Sequence, residues 1–219
     1  MCFSATASFV AGGALSVTGA LTLRQAKKKV ELPFASIPLL FGIQQLIEGV
    51  IWLSFGNSAI NIISTYVYSL FSYVFWPVFV PVATLLIEKD PVRRRILKVF
   101  TGIGLAVGMY LFYFIFSEGI TSQILYKSIS YDSPHLYLPF ILTLYVIATC
   151  ISFLISSYRM INLIGVVMTT SFLITGWFFT ETFVSVWCFF AAILSVLVYW
   201  FFKKKSIAEK RVEIGSFIK

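Results

Sequence analysis

The sequence predicts an all-α membrane protein: a seven-transmembrane-helix bundle with its N-terminus outside and its C-terminus cytoplasmic. Three observations carry the prediction. Apolar residues make up 59% of the 219-residue chain and charged residues only 12%, with a mean hydropathy of +0.92, which leaves far too much apolar surface for water to cover. About seven apolar stretches, each near the ~20 residues that cross a hydrocarbon core, are separated by short polar breaks. The basic residues gather in alternate breaks, as they do when basic loops are retained on the cytoplasmic side.

Charge, Gly and Pro place the spans near residues 6–23, 33–55, 60–87, 96–117, 135–157, 160–180 and 183–202, with 1–205 as one membrane domain and 206–219 as a basic cytoplasmic tail. The opening MCFSATASF lacks a basic n-region and an A-x-A cleavage pattern, so the first apolar stretch is expected to remain as a span. Ser8, Gly12, Ser16 and Ala20 give that span a small-residue stripe that lets helices approach closely. Pro33 falls in the first turn of span two, where a missing amide proton costs nothing, whereas Pro77 and Pro81 interrupt span three and predict a kink. Gly102, Gly104 and Gly108 give span four a close-packing face.

Before span five, Asp132 or Ser133 reads as an N-cap and Pro134 as the first helical residue. Span six ends in TGWFFTET, which sets Trp177 and Glu181 at i and i+4 at the outer interface. Span seven has no lysine between Phe183 and Trp200, so a retinal Schiff base is excluded. No HExxH, GxSxG, Walker A or GxGxxG element stands in a usable context.

Sixteen of the seventeen Lys and Arg residues fall on one side of this arrangement, and only Lys127 falls on the other. The basic side is assigned to the cytoplasm, in contact with anionic inner-leaflet lipid, and the whole chain to a bacterial or archaeal cytoplasmic membrane. Nucleic-acid binding would need a soluble basic face, which the sequence lacks. Glu48, Glu118, Asp132 and Glu181 lie in the outer half with His135, the single histidine. That acidic, cation-poor side favours a proton, a cation or a metal over an anion.

Gln44, Glu48 and Trp52 share one face of span two, with Gln45 beside them. An ionised carboxylate facing lipid there would cost a few kcal/mol, so the stripe is expected to face the bundle interior. The expected ligand site is Gln44, Gln45, Glu48 and Trp52, with Trp177 and Glu181 at its outer rim. A divalent metal such as zinc would have to use a mixed set of Glu48, Asp132, His135 and Cys2, the last exposed at the N-terminus. Cys150 and Cys188 sit in apolar runs, where a thiol behaves as a small hydrophobe.

MCFSATASF, ELPFASIPLLFGIQQLIEGVIW and the basic hinge after span one resemble an uncharacterised family of small multi-span membrane proteins that begin with MCFS, a domain of unknown function. The resemblance is most specific over about the first 55 residues and implies that Cys2, Phe3, Ser4, Gln44, Gln45, Glu48 and Trp52 belong to the family pattern. A more distant architectural similarity is to the seven-helix superfamily of alkaline ceramidases and progestin/adiponectin receptors. Those proteins hold zinc with three His plus Asp and Ser; one His here does not carry that site across.

Three functional readings follow. The first is an outward-facing polar pocket around Glu48 that binds or passes a small ligand, cation or proton. The second is a metal-dependent membrane hydrolase acting on lipid. The third is an accessory subunit that docks its aromatic-rich helices on a larger membrane complex or on a second copy of itself.

Overall fold

The computed structural model describes residues 4–125, 128–132, 138–178 and 183–217. Helix α1 spans Ala5–Leu23, and the Ser4 hydroxyl caps it by accepting the Ala7 amide. A 3₁₀ turn, Lys29–Glu31, leads into a short α2, Leu32–Ala35, and then α3, Ile37–Ser54. The expected single helix over 33–55 is broken at Ser36. Pro38 has no amide to give the Phe34 carbonyl, so the helix restarts there.

The seam between α1 and α3 is made by Ser8, Gly12, Leu15, Gly19 and Thr22, which are buried. The expected stripe is correct in kind, but its spacing alternates four and three residues, and Ala20 is exposed. This alternation keeps one helix face on its partner for about four turns. A Cβ on Gly19 would lie 2.3 Å from the Leu39 nitrogen, and one on Gly42 would lie 2.6 Å from Ser16 Oγ. The two helices therefore pack backbone to backbone.

Helix α4, Ser58–Ser69, passes through a π-wound segment, Leu70–Phe75, into α5, Trp76–Ile87. The predicted irregularity at Pro77 thus takes the form of a wider turn just before the proline. Helix α6, Pro91–Ser117, is capped by the Asp90 carboxylate, which accepts the Arg93 amide at 2.8 Å. Gly119, with φ of +81°, turns the chain out of α6 into an antiparallel hairpin, β1 Thr121–Leu125 and β2 Ser128–Asp132. The sequence reading expected no strands.

After the hairpin come α7, Pro139–Val146, a second π-wound segment, Ile147–Ile151, and α8, Ser152–Leu154. The proline that opens this span is Pro139, and Asp132 pairs with Thr121 in the sheet. Ser133 and Pro134 lie outside the described residues. Helix α9, Arg159–Phe178, and α10, Phe183–Phe217, complete the chain, and α10 runs straight through residue 205, where the tail was expected to begin.

Ala5–Leu23, Lys29–Ser54, Ser58–Ile87, Pro91–Ser117, Arg159–Phe178 and Ser185–Ile207 are long and apolar enough to cross a membrane. Pro139–Leu154 is a shorter apolar helix, rising roughly 24 Å against a hydrocarbon core of ~30 Å. The chain is a helical integral membrane protein in contact with lipid.

The basic ends of these helices are tied together. Phe34, fully buried, lies about one ring away from Phe153, Phe201 and Phe202, with centroids 6.0, 6.0 and 6.4 Å apart. Lys205 pairs with Glu31 across this end. Glu88, in the α5–α6 turn, accepts both the amide and the hydroxyl of Ser157 at 2.6 Å. Arg93 and Asn162 donate to the carbonyls of Phe153, Leu154, Ile155 and Ser156 at the end of α8.

Candidate functional site

The polar face of α3 does point inward. Gln44 and Glu48 are fully buried and Gln45 is 1% exposed. Glu48 is held from two helices: the Ser185 hydroxyl of α10 donates to Oε1 at 2.7 Å, and Gln45 Nε2 donates to Oε2 at 3.2 Å. Trp52, one turn farther along, is half-buried against Phe55, and its indole nitrogen is buried with no hydrogen-bond partner among the described residues.

Gln44 anchors a second cluster one turn deeper. Its Nε2 donates to Ser72 Oγ at 2.8 Å and to Cys188 Sγ at 3.2 Å, while its Oε1 accepts the Trp76 indole N–H at 2.7 Å. The amide thereby uses both donor hydrogens and its acceptor inside the bundle, which is what a buried amide requires. Trp76 in turn stacks on Phe41, with centroids 4.1 Å apart and planes 18° apart. Ser185 and Cys188 stand at i and i+3 on α10, so one face of that helix serves both Glu48 and Gln44.

The π-wound segment matters for this cluster because it carries Ser72. Within it the Trp76 amide reaches back five residues to the Phe71 carbonyl. The Ser72 carbonyl is then left with Pro77 as its next helical donor, and proline has no N–H. Tyr145 fills the gap, donating its hydroxyl to that carbonyl from α7. An apolar cavity of about 30 Å³, lined by Phe41, Trp76, Thr149, Met168, Trp187 and Cys188 among others, lies beside the Gln44 cluster. It has room for roughly one water.

The other expected site residues fall elsewhere. Trp177 is 83% exposed on α9, away from this interior. Asp132 is exposed and lines an open depression with Glu118, Tyr66 and Thr121. Cys2, His135 and Glu181 lie outside the described residues, and among the described residues no three His, Cys, Asp or Glu side chains gather as a metal site would need. Ser72, Trp76, Tyr145, Ser185 and Cys188 were not expected. In an apolar span such residues are common, and only Pro77 marked the region as irregular.

A family profile described as a family of unknown function, DUF6629, matches residues 1–213. The chain belongs to this family. The DUF6629 match runs well beyond the first 55 residues that carry the sequence resemblance, and it covers every residue of the Glu48 and Gln44 clusters. No curated protein and no solved structure matches the chain.

Proposed function

We propose that this membrane protein spans the bilayer seven times with its basic end in the cytoplasm, and that Glu48 is an interior binding site for a proton or a small cation taken from the opposite side. The observation that carries the reading is Glu48 itself, a fully buried carboxyl at bundle depth whose oxygens are met by a serine hydroxyl and a glutamine amide. A carboxylate in that position is expensive unless it holds a proton or a positive charge. Gln45 and Ser185 position the group, and Gln44 with its partners forms a second polar cluster one turn deeper.

The test is Glu48→Gln in purified protein. Infrared difference spectra between acid and alkaline buffer should show a carboxyl band in the wild type that the variant lacks, or monovalent cations should raise the thermal stability of the wild type alone. Elemental analysis of the same preparation reads a divalent metal such as zinc. A wild type that shows neither response, with a variant of equal stability, ends this reading and leaves Glu48 as a hydrogen-bonded link between α3 and α10.

A further inference from the structure

The long span made of α4, the first π-wound segment and α5 has two unlike interiors. All four buried residues of α4, Ser64, Thr65, Tyr68 and Ser69, carry a hydroxyl, and Ser72 adds another in the π-wound segment. Beyond Trp76 the buried side chains of α5 are apolar except Thr84, whose hydroxyl donates to the Val80 carbonyl of its own helix. The change falls where Gln44 joins Ser72 and Trp76.

Two hydrogen bonds fix how α3 faces that span. Asn61 Nδ2 donates to Ser54 Oγ at 3.1 Å near the α3–α4 turn, and Gln44 Nε2 donates to Ser72 Oγ at 2.8 Å. Going back along α3 from Ser54 to Gln44 therefore matches going forward from Asn61 to Ser72 on its antiparallel partner, which sets Glu48 level with Tyr68 and Ser69. Ser69 shares a helix face with Thr65 and Ser72, one turn to either side. It is 0% exposed, and its hydroxyl has no hydrogen-bond partner among the described residues. The Trp52 indole N–H, one turn along α3 from Glu48, is in the same state. Buried polar atoms of this kind take water as their partner. At the turn end, Thr65 Oγ1 and Ser122 Oγ of β1 lie 2.8 Å apart, Ser122 donates to Asn61 at 3.2 Å, and half-buried Asn61 reaches the surface.

We propose that the α3–α4 seam is a water-bridged proton route that connects Glu48 with the surface at Asn61 and ends at Gln44. The proposal rests on the reading of Glu48 as a binding site and narrows its ligand to a proton. Hydroxyls donate and accept at once, as a proton relay needs. A cation in transit would need free oxygens at each step, and those of Ser54 and Asn61 already accept hydrogen bonds. Successive hydroxyls along α4 stand one turn, ~5.4 Å, apart, a gap that one water bridges. Past Gln44 the seam closes, because Trp76 stacks on Phe41 and the apolar interior of α5 follows. The route is therefore one-sided.

Two measurements on full-length protein test the route. In the first, protein held in acid is perfused with heavy water, and the shift of the Glu48 carboxyl band in the infrared reads how fast that proton exchanges. Ser69→Leu should slow the shift about tenfold or more by displacing the hydroxyl and its water. Ser69→Thr should keep the wild-type rate, as should Val80→Leu on the far side of Gln44. In the second, silver ions are offered to Ser69→Cys and to Val80→Cys, each with Cys2→Ser, Cys150→Ala and Cys188→Ser, and capture is read by mass spectrometry. Both positions are buried on the same span, at 0% and 5% exposed, but Ser69→Cys should capture silver about tenfold faster or more, because only its side of Gln44 is wet. Equal rates in either comparison overturn the route. The silver measurement does not involve Glu48, so equal capture beside a titrating Glu48 removes the route and leaves the binding site. Fast capture at Ser69→Cys beside a Glu48 with no titrating band removes the binding site, and the proton with it.

Discussion

The Tyr145 hydroxyl donates to the Ser72 backbone carbonyl, a carbonyl that the π-wound turn and Pro77 together leave without a helical amide. The contact joins α7 to the long α4–α5 span at the level of Gln44. Tyr145→Phe should lower stability by about 1–2 kcal/mol, because a buried carbonyl loses its partner while the ring volume is kept. Thermal unfolding in mild detergent checks this, and equal midpoints for variant and wild type would show that the carbonyl finds another donor.

The α5–α6 contact depends on a glycine. The Pro77 carbonyl would be bonded in an α-helix by residue 81, but that residue is Pro81 and has no amide. The carbonyl instead sits where a Cβ on Gly104 would be, 1.8 Å away, whereas a Cβ on Gly102 would meet nothing within 4 Å. Gly104→Ala should therefore cost ~1–3 kcal/mol by forcing the helices apart. Gly102→Ala is the control, and it should be neutral or slightly stabilising by helix propensity. Equal effects at the two glycines would refute the close approach.

The inward face of α3 was legible because Gln44, Gln45 and Glu48 are costly in an apolar span and share one helical face. Their partners were not, since nothing in the residues around Ser72, Tyr145 or Ser185 separates a serine that bonds its own helix from one that reaches a neighbour. Thr149 and Ser152, for example, bond the carbonyls four residues back. The helices were legible from hydropathy, but the hairpin was not. Its TSQIL and SISYD strands alternate too weakly to announce themselves, and their burial comes from α4 and α10, far away in sequence.

Orientation rests on the grouping of basic residues, and the structure brings the helix ends that carry them together through Phe34, Glu31 and Glu88. In a cysteine-free background, Gly56→Cys should react with an impermeant thiol reagent on intact cells, because the turn between α3 and α4 lies at the opposite end and has open space around it. Lys28→Cys, exposed between α1 and α2, should react only after the cells are opened. The reverse pattern would invert the topology and the side from which Glu48 is reached.

Glu88 gives the basic end a pH dependence with a definite sign. Burial pushes its carboxyl up, but the Ser157 hydroxyl and the amides of Asp90, Ser157 and Lys89 outweigh burial and hold it down at about 2, against an ordinary value of 4.5. A carboxyl depressed in the folded state contributes stability that is fully present above its unfolded value and is lost as pH falls through its folded value. The window therefore runs from 4.5 down to about 2. Across it the wild type should lose on the order of 3 kcal/mol through this group. Glu88→Gln should be less stable at neutral pH, since its amide brings donors to a site already made of donors, and the gap should close as the window is crossed. Thermal unfolding of both proteins over that range isolates the group from the other carboxyls, because only the difference between the curves is read. Parallel curves would mean that the four donors hold the protonated carboxyl equally well, and the tie between the α5–α6 and α8–α9 turns would then depend on shape rather than charge.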